Sequence, residues 1–262
     1  MKGENKVKVI QSAKNPQVKQ WRKLATRKER DKTGRYLIEG FHLVEEALSY
    51  KKEIEEIIME ENIVLPAKWD MDGIPLTVVT SEVAETLSKT ETTQGIFAVC
   101  KKRDSKNSLA QSKTFLLIDR VQDPGNIGTM IRTADAAGID AVVLGKGSAD
   151  PYNPKVLRAA QGSHFHVDII QLPLEEAIQT FKEHHLPVYG TALQNATNYR
   201  DIQPSNRFAV LVGNEGSGVS PELLALTDQN VYIPIYGKSE SLNVAVAAGI
   251  LLYHFQGSTK RV

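Results

Sequence analysis

Three short stretches in the second half of the chain carry side chains suited to chemistry. In DRVQDPGNIGTMIRTADAAG, residues 119–138, the apolar run FLLI ends at Asp119, Pro124 and Gly125 make a turn, and Asn126 is placed to cap a helix. The inner face of that helix would hold Ile127, Met130, Ile131 and Ala134, and Gly128 would let a ligand or a second backbone approach its first turn. Arg132 lies beyond an i to i+4 pair with Asn126. In VGNEGSGVSPELL, residues 212–224, Gly213, Gly216 and Gly218 follow the apolar run FAVLV, and Glu215 sits among them, where open α/β sheets place ligands. In IPIYGKSESLNVAVAAGILLYH, residues 233–254, Ser239, Ser241 and Asn243 stand at the mouth of a small-residue helix. Leu242, Val246, Gly249, Ile250 and Tyr253 could share its packed face. Each stretch alone also reads as an ordinary cap, turn or tight packing site.

The elements that must position these residues alternate. FLLID, AVVLG, HVDII, LPVYGTAL, FAVLVGNE and NVYIPI read as strands, the first two apolar enough to be buried on both faces. Helices are expected near residues 126–138, 153–161, 174–185, 220–227 and 241–256. That cadence describes an α/β domain over residues 114–262 with a mostly parallel sheet. Before it, residues 1–100 form a small α/β domain: a basic helix ending at Gly34, the strand YLI, a helix in FHLVEEALSY, strands in IEEIIM, LTVVT and GIFAVC, and a helix in SEVAETLSKT. Residues 101–113, KKRDSKNSLAQSK, read as a linker.

Composition removes several function classes. The 262 residues are 41% apolar and 24% charged, which excludes a wholly disordered chain. The single cysteine, Cys100, rules out an intrachain disulfide and closes an apolar stretch, so it reads as a packing residue. No apolar run approaches a membrane span and the start lacks a signal-peptide pattern, so the expectation is a cytoplasmic protein without a membrane partner. His164, His166, His184 and His185 lack partner patterns for a metal, and none is expected. There is no GxGxxG or GxxxxGK[ST] loop. The net charge is +1, yet residues 1–52 hold 14 Lys/Arg against 6 Asp/Glu. Lys19, Arg22, Lys23, Arg27, Lys28 and Arg30 are the plausible phosphate contacts; the plain alternative is a solvated helix face.

Taken together, the three stretches resemble the three motifs of the SpoU/TrmH family of RNA 2'-O-ribose methyltransferases within the SPOUT group. Asn126, Gly128, Arg132 and Thr133 match the first motif, Asn214, Glu215 and Gly218 the second, and Ser241, Leu242, Asn243 and Val244 the third. Ala245 departs from the serine of many relatives. GRYLIEGFHLVEEAL, residues 34–48, resembles the substrate-binding domain of ribosomal-RNA members, whose fold is similar to a small RNA-binding ribosomal protein. The resemblance implies a deep trefoil knot in the second domain, a homodimer through that domain, and methyl transfer from S-adenosylmethionine to a ribose 2'-hydroxyl of RNA, most readily ribosomal (23S-type). A transfer-RNA methyltransferase and a non-catalytic ribosome-assembly binder are the alternatives. It also implies a cofactor held by Thr191, Ala192, Leu193, Gly213, Gly216, Ile233, Ile235 and Leu242. Arg132 becomes the critical substrate-facing side chain, with Asn126 orienting it or the substrate. Glu215 would anchor the arginine side or the active-site loop, and Ser241 and Asn243 would hold the substrate and the knot loop. Family proposals treat the arginine as a base; a free guanidinium, with its pKa above about 12, serves better as a phosphate clamp that aligns the hydroxyl.

Overall fold

The computed structural model describes residues 7–50, 53–103 and 108–257. Part of the expected linker, residues 104–107, and part of the basic run, residues 1–6 and 51–52, lie outside the described residues. The chain forms two compact units, one of Met1–Arg103 with Tyr152–Phe165, the other of Asp104–Pro151 with His166–Val262. The first therefore includes a segment that the expected domains, 1–100 and 114–262, assign to the second.

In the first unit, β1 (Lys8–Ile10), β4 (Leu76–Val79) and β3 (Ile54–Glu60) run parallel, and β5 (Ile96–Lys101) and β2 (Arg35–Glu39) complete the sheet by antiparallel pairing, in the order β1-β4-β3-β5-β2. β1 is missed by the sequence reading because three residues carry no readable period. The expected single basic helix is two. α1 (Pro16–Lys23) starts at Asn15, whose side chain accepts from Gln17 N–H, and α2 (Arg27–Thr33) starts at Thr26, which accepts from Glu29 N–H. Gly34 ends α2 at φ +66°. Val18, Trp21 and Leu24 pack with Ile58, Phe97 and Val99 of the sheet and with Val83 and Leu87 of α4 (Ser81–Leu87). Lys19, Arg22, Lys23, Arg27 and Lys28 are exposed, but Arg30 is buried and its Nη1 donates to the Leu24 carbonyl at 2.7 Å. Arg30 thus closes the α1–α2 corner and is not a free phosphate contact. On the other face, α3 (Phe41–Ser49) and the Tyr152–Phe165 segment, with α7 (Pro154–Ala160), build a second core in which Tyr36 meets Tyr152 at 4.7 Å between ring centroids.

In the second unit all seven strands pair in parallel, in the order β10-β12-β9-β11-β6-β7-β8. They are β6 (Thr114–Ile118), β7 (Ala141–Leu144), β8 (Asp168–Gln171), β9 (Val188–Thr191), β10 (Thr197–Asn198), β11 (Phe208–Val212) and β12 (Gln229–Tyr232). The two central strands, β6 and β11, are buried at every residue, which explains their uninterrupted apolar sequences. Side chains alternate between faces. Phe115, Leu117, Ala209 and Leu211 meet α8 (Leu174–Glu183) and Leu223 of α9 (Pro221–Leu224). Phe208, of the opposite alternation, meets Phe255 of α10 (Val244–Phe255) with the rings tilted, and α10 also packs on α6 (Pro124–Ala136). The part of the expected linker at Ser108–Gln111 is a short helix, α5. The face of α10 expected to be packed is so only in part: Gly249 and Ile250 are half-buried, but Val246 is 52% and Tyr253 60% exposed, and Leu242, just before the helix, is also exposed. Ala245, Ala248, Leu251, Leu252 and Phe255 make the buried face.

Candidate active site

The carboxyl ends of the central parallel strands gather the three motifs at one edge of the sheet, since β6 leads into α6, β11 into the loop 213–219, and β12 into the segment before α10. α6 is capped by Asp123, whose side chain accepts from Gly125 N–H at 2.8 Å, with Pro124 at the first helical position. Asn126 is therefore not the cap. It sits inside the first turn, and its amide is free to look outward. The Asp-Pro pair was the readable signal for this.

Asn126 joins the other two motifs. Its Nδ2 donates to Glu215 Oε1 at 3.0 Å, and its Oδ1 accepts from Asn243 Nδ2 at 2.9 Å. Asn243 in turn caps α10, its Oδ1 accepting from Ala245 and Val246 N–H. Glu215 also accepts from the backbone N–H of Gln122 (3.3 Å) and Asp123 (3.2 Å). Burial works against the Glu215 charge, but the hydrogen bonds from Asn126 and from the backbone of Glu215, Asp123 and Gln122 outweigh it and hold the carboxyl below its ordinary pKa. Glu215 is thus an ionised acceptor that ties its loop to the start of α6.

Asn214 shapes that loop. Its backbone exchanges both hydrogen bonds with Gly218, at 3.0 and 2.9 Å, and its Oδ1 accepts from Gly216 and Ser217 N–H. A Cβ on Gly213 would lie 2.1 Å from the Gly218 backbone, so that position requires glycine, and Gly218 adopts φ +69°, which favours it. No such demand falls on Gly216, where a Cβ would meet only Asn214 Oδ1 at 3.7 Å.

Arg132 stands apart. It is exposed on α6, about 9 Å along the helix and about 120° around it from Asn126. Among the described residues it makes no hydrogen bond or ion pair. Of the two roles expected for Glu215, the geometry contains the loop anchor and not a contact with Arg132. Ser241 is exposed, and its carbonyl accepts from Ser239 Oγ at 2.8 Å.

Seven of the eight expected cofactor residues lie at the ends of three neighbouring strands, and the eighth, Leu242, stands just before α10. Thr191, Ala192 and Leu193 close β9, Gly213 and Gly216 follow β11, and Ile233 and Ile235 follow β12. Ala192 N–H donates to the Val231 carbonyl and Thr191 Oγ1 to the Leu211 carbonyl, which fixes these ends together. Leu193 is 76% exposed. Cys100 lies outside this region, fully buried in β5, where burial pushes its thiol pKa up. Among the described residues no group of three or more His, Cys, Asp or Glu is arranged to hold a metal.

Comparison with known proteins matches these features from both ends of the chain. Residues 113–253 match the SpoU rRNA Methylase family, and residues 15–98 match the MRM3-like substrate binding domain. The chain is 52% identical to the 23S rRNA (guanosine(2553)-2'-O)-methyltransferase RlmP of Bacillus subtilis (strain 168), over 96% of this chain and 100% of that one. It is 34% identical to an uncharacterized tRNA/rRNA methyltransferase of Synechocystis sp., over 93% of this chain and 92% of that one. Among solved structures, an AdoMet-bound rRNA methyltransferase from Sinorhizobium meliloti superposes with a TM-score of 0.86 at 32% identity, covering 97% of this chain and 99% of that one. With its two matching regions, its full-length relative and its three joined motifs, the chain belongs to the SpoU rRNA methylase family.

Proposed function

We propose that this family member, an S-adenosylmethionine-dependent RNA 2'-O-ribose methyltransferase, acts in the cytoplasm on 23S ribosomal RNA, at the guanosine corresponding to the one named for RlmP. The Glu215–Asn126–Asn243 chain of hydrogen bonds carries the assignment of the site, because it fastens residues from three separate motifs around one sheet edge. The full-length likeness to a 23S rRNA enzyme favours ribosomal over transfer RNA.

When bound, S-adenosylmethionine supplies an electrophilic methyl group. The residues present fit it: the strand ends of β9, β11 and β12 offer backbone groups, a loop closed by glycine at Gly213, and apolar side chains such as Leu193 and Ile235. Arg132 clamps an RNA phosphate and aligns the 2'-hydroxyl, a role that suits a guanidinium with no protein partner. Asn126 and Glu215 keep the first turn of α6 and the loop 213–219 in fixed register, and Ser241 and Asn243 position the segment before α10. The deep trefoil knot belongs to the same proposal, supported by a strand order in which β9 lies between β11 and β12 and β11 beside β6. So does a homodimer through the second unit: Val246 and Tyr253 leave an apolar stripe on α10 that costs free energy in water. The first unit positions RNA through the exposed Lys19, Arg22, Lys23, Arg27 and Lys28.

Mapping 2'-O-methyl groups in total RNA from cells with and without the gene tests the assignment. Loss of one methylated guanosine in 23S rRNA is expected. Loss confined to a transfer RNA would replace the substrate, and no change together with no methyl transfer by the purified protein would refute the function.

A further inference from the structure

The loop that carries Glu215 is gripped at both ends by two consecutive residues that open the stretch 119–138 but are not among the matched motif positions. Asp119 and Arg120 follow β6 directly. At the entrance, Asp119 N–H donates to the Val212 carbonyl at 2.9 Å, and the Arg120 carbonyl accepts from Asn214 Nδ2 at 2.9 Å. At the exit, Asp119 Oδ2 accepts from Ser220 N–H at 2.9 Å. One dipeptide therefore fixes where the loop leaves the sheet and where it returns.

The backbone of Arg120 makes this possible at a cost. Its φ is +54°, in the left-handed region that a residue with a side chain rarely adopts. That turn sends the carbonyl toward Asn214 and folds the guanidinium back on the preceding side chain, Nε to Asp119 Oδ1 at 3.1 Å and Nη2 to Oδ2 at 3.2 Å. Asp119 is only 4% exposed, so its charge depends on this two-point contact and on Ser220. Gly147 leaves room for the stem of Arg120: a Cβ there would lie 3.1 Å from Arg120 Cγ. A half-exposed arginine held at a positive φ and paired at two points with a buried carboxylate is more constrained than an incidental surface residue.

We infer that Asp119 and Arg120 are positioning residues for methyl transfer, holding the loop 213–219 so that Glu215 meets Asn126 and the start of α6 in one geometry. The inference rests on the reading of that loop as part of the methyl-transfer site. Neither residue touches the reacting atoms; both act through Asn214, Ser220 and Glu215. Arg120→Gly suits the positive φ and keeps the carbonyl bond to Asn214, so it isolates the guanidinium. Asp119→Asn keeps an acceptor for Ser220 and removes the charge.

The test compares the full-length wild type with Asp119→Asn, Arg120→Gly, the double variant, Arg120→Lys and Glu215→Gln. Single-turnover transfer is measured at saturating RNA and cofactor, along with the KM for RNA and a thermal melt. Each single variant of the pair should slow transfer by about tenfold with the RNA KM within about twofold, and the double variant should be no slower than the worse single, since the two share one interaction. Arg120→Lys should recover part of the rate by restoring the charge. Multiplying losses in the double variant, or rates that return to normal once corrected for the folded fraction, would reduce the pair to a structural role and overturn the inference. If Glu215→Gln is slow while the pair variants are normal, the inference fails alone. If Glu215→Gln and the pair variants are all normal, the reading of the loop fails with it.

Discussion

Asn126 and Arg132 belong to one helix, yet they occupy opposite kinds of surroundings. At the first turn of α6 the polar side chains are engaged: Asn126 is held between Glu215 and Asn243, and Asp123 caps the helix. Six residues on, Arg132 is exposed with no side-chain partner among the described residues, and the stripe of α10 bearing Val246 and Tyr253 is equally open. The first region is preorganised within one chain, so its geometry is in place before any ligand arrives. On the proposed function, the second awaits partners from outside, a phosphate for the guanidinium and an apolar surface for the stripe. Engaged and open groups thus alternate within α6 and recur on α10.

The sharpest way to separate the two regions is Arg132→Ala. Methyl transfer in single turnover should fall at least about a hundredfold, about 2.8 kcal/mol in the transition state, while the melt and calorimetric cofactor binding stay near wild type. Arg132→Lys should recover little, because it lacks the planar fork. Loss of folding together with transfer would show that Arg132 belongs to the engaged region after all.

Gly213→Ala attacks the engaged region itself. A Cβ there would fall 2.1 Å from the Gly218 backbone, so the loop must rebuild. A destabilisation of about 2 kcal/mol is expected, with a melting temperature lower by about 4–8 °C and weaker cofactor binding. Calorimetry and a thermal scan read both, and an unchanged melt would mean that the loop is not closed in solution.

On the open region, Val246→Asp should halve the mass seen by light scattering, from about twice the 29.0 kDa chain mass to that of one chain, at a cost of about 1 kcal/mol or less to the fold. A monomeric wild type at micromolar concentration would remove the dimer from the proposal.

The smallest effect is in acid. Because Glu215 has a depressed pKa in the folded protein, its contribution to stability is complete above the unfolded value of about 4.3 and is lost as pH falls through the folded value. The difference in melting temperature between wild type and Glu215→Gln should be constant above about pH 5 and shrink in more acidic buffer, by less than about 1 kcal/mol for so exposed a group. A pH-independent difference would show that the charge is not what ties the loop.

How much of this was legible follows from the range of each interaction. The strands β6, β7 and β11 announced themselves by unbroken apolar runs, and Ile127, Met130, Ile131 and Ala134 by their helical spacing, because burial leaves a periodic trace. The motif residues were visible through family resemblance, and Asn126, Glu215 and Asn243 do come together. What stayed hidden depends on contacts remote in sequence. The cap at Asp123 freed Asn126 for another use, Arg30 was drawn inward to the Leu24 carbonyl, and α10 exposed the stripe it was expected to bury. That last outcome was undecidable from periodicity, since an apolar helix such as VAVAAGILLYHF has little contrast between its faces.

The Tyr152–Phe165 segment has a consequence for how the protein is made. The core of the first unit needs Tyr152, Leu157 and Phe165, which are encoded some fifty residues after β5 has been completed. A ribosome releasing the chain from its amino end would already have extruded every strand of that unit and still be holding back part of its interior, so final closure must wait until β6, α6 and β7 have emerged. A fragment ending at Arg103 would likewise leave Tyr36 without the ring it packs on. The substrate-binding half, though contiguous in its family match, is completed in synthesis only by its neighbour's sequence.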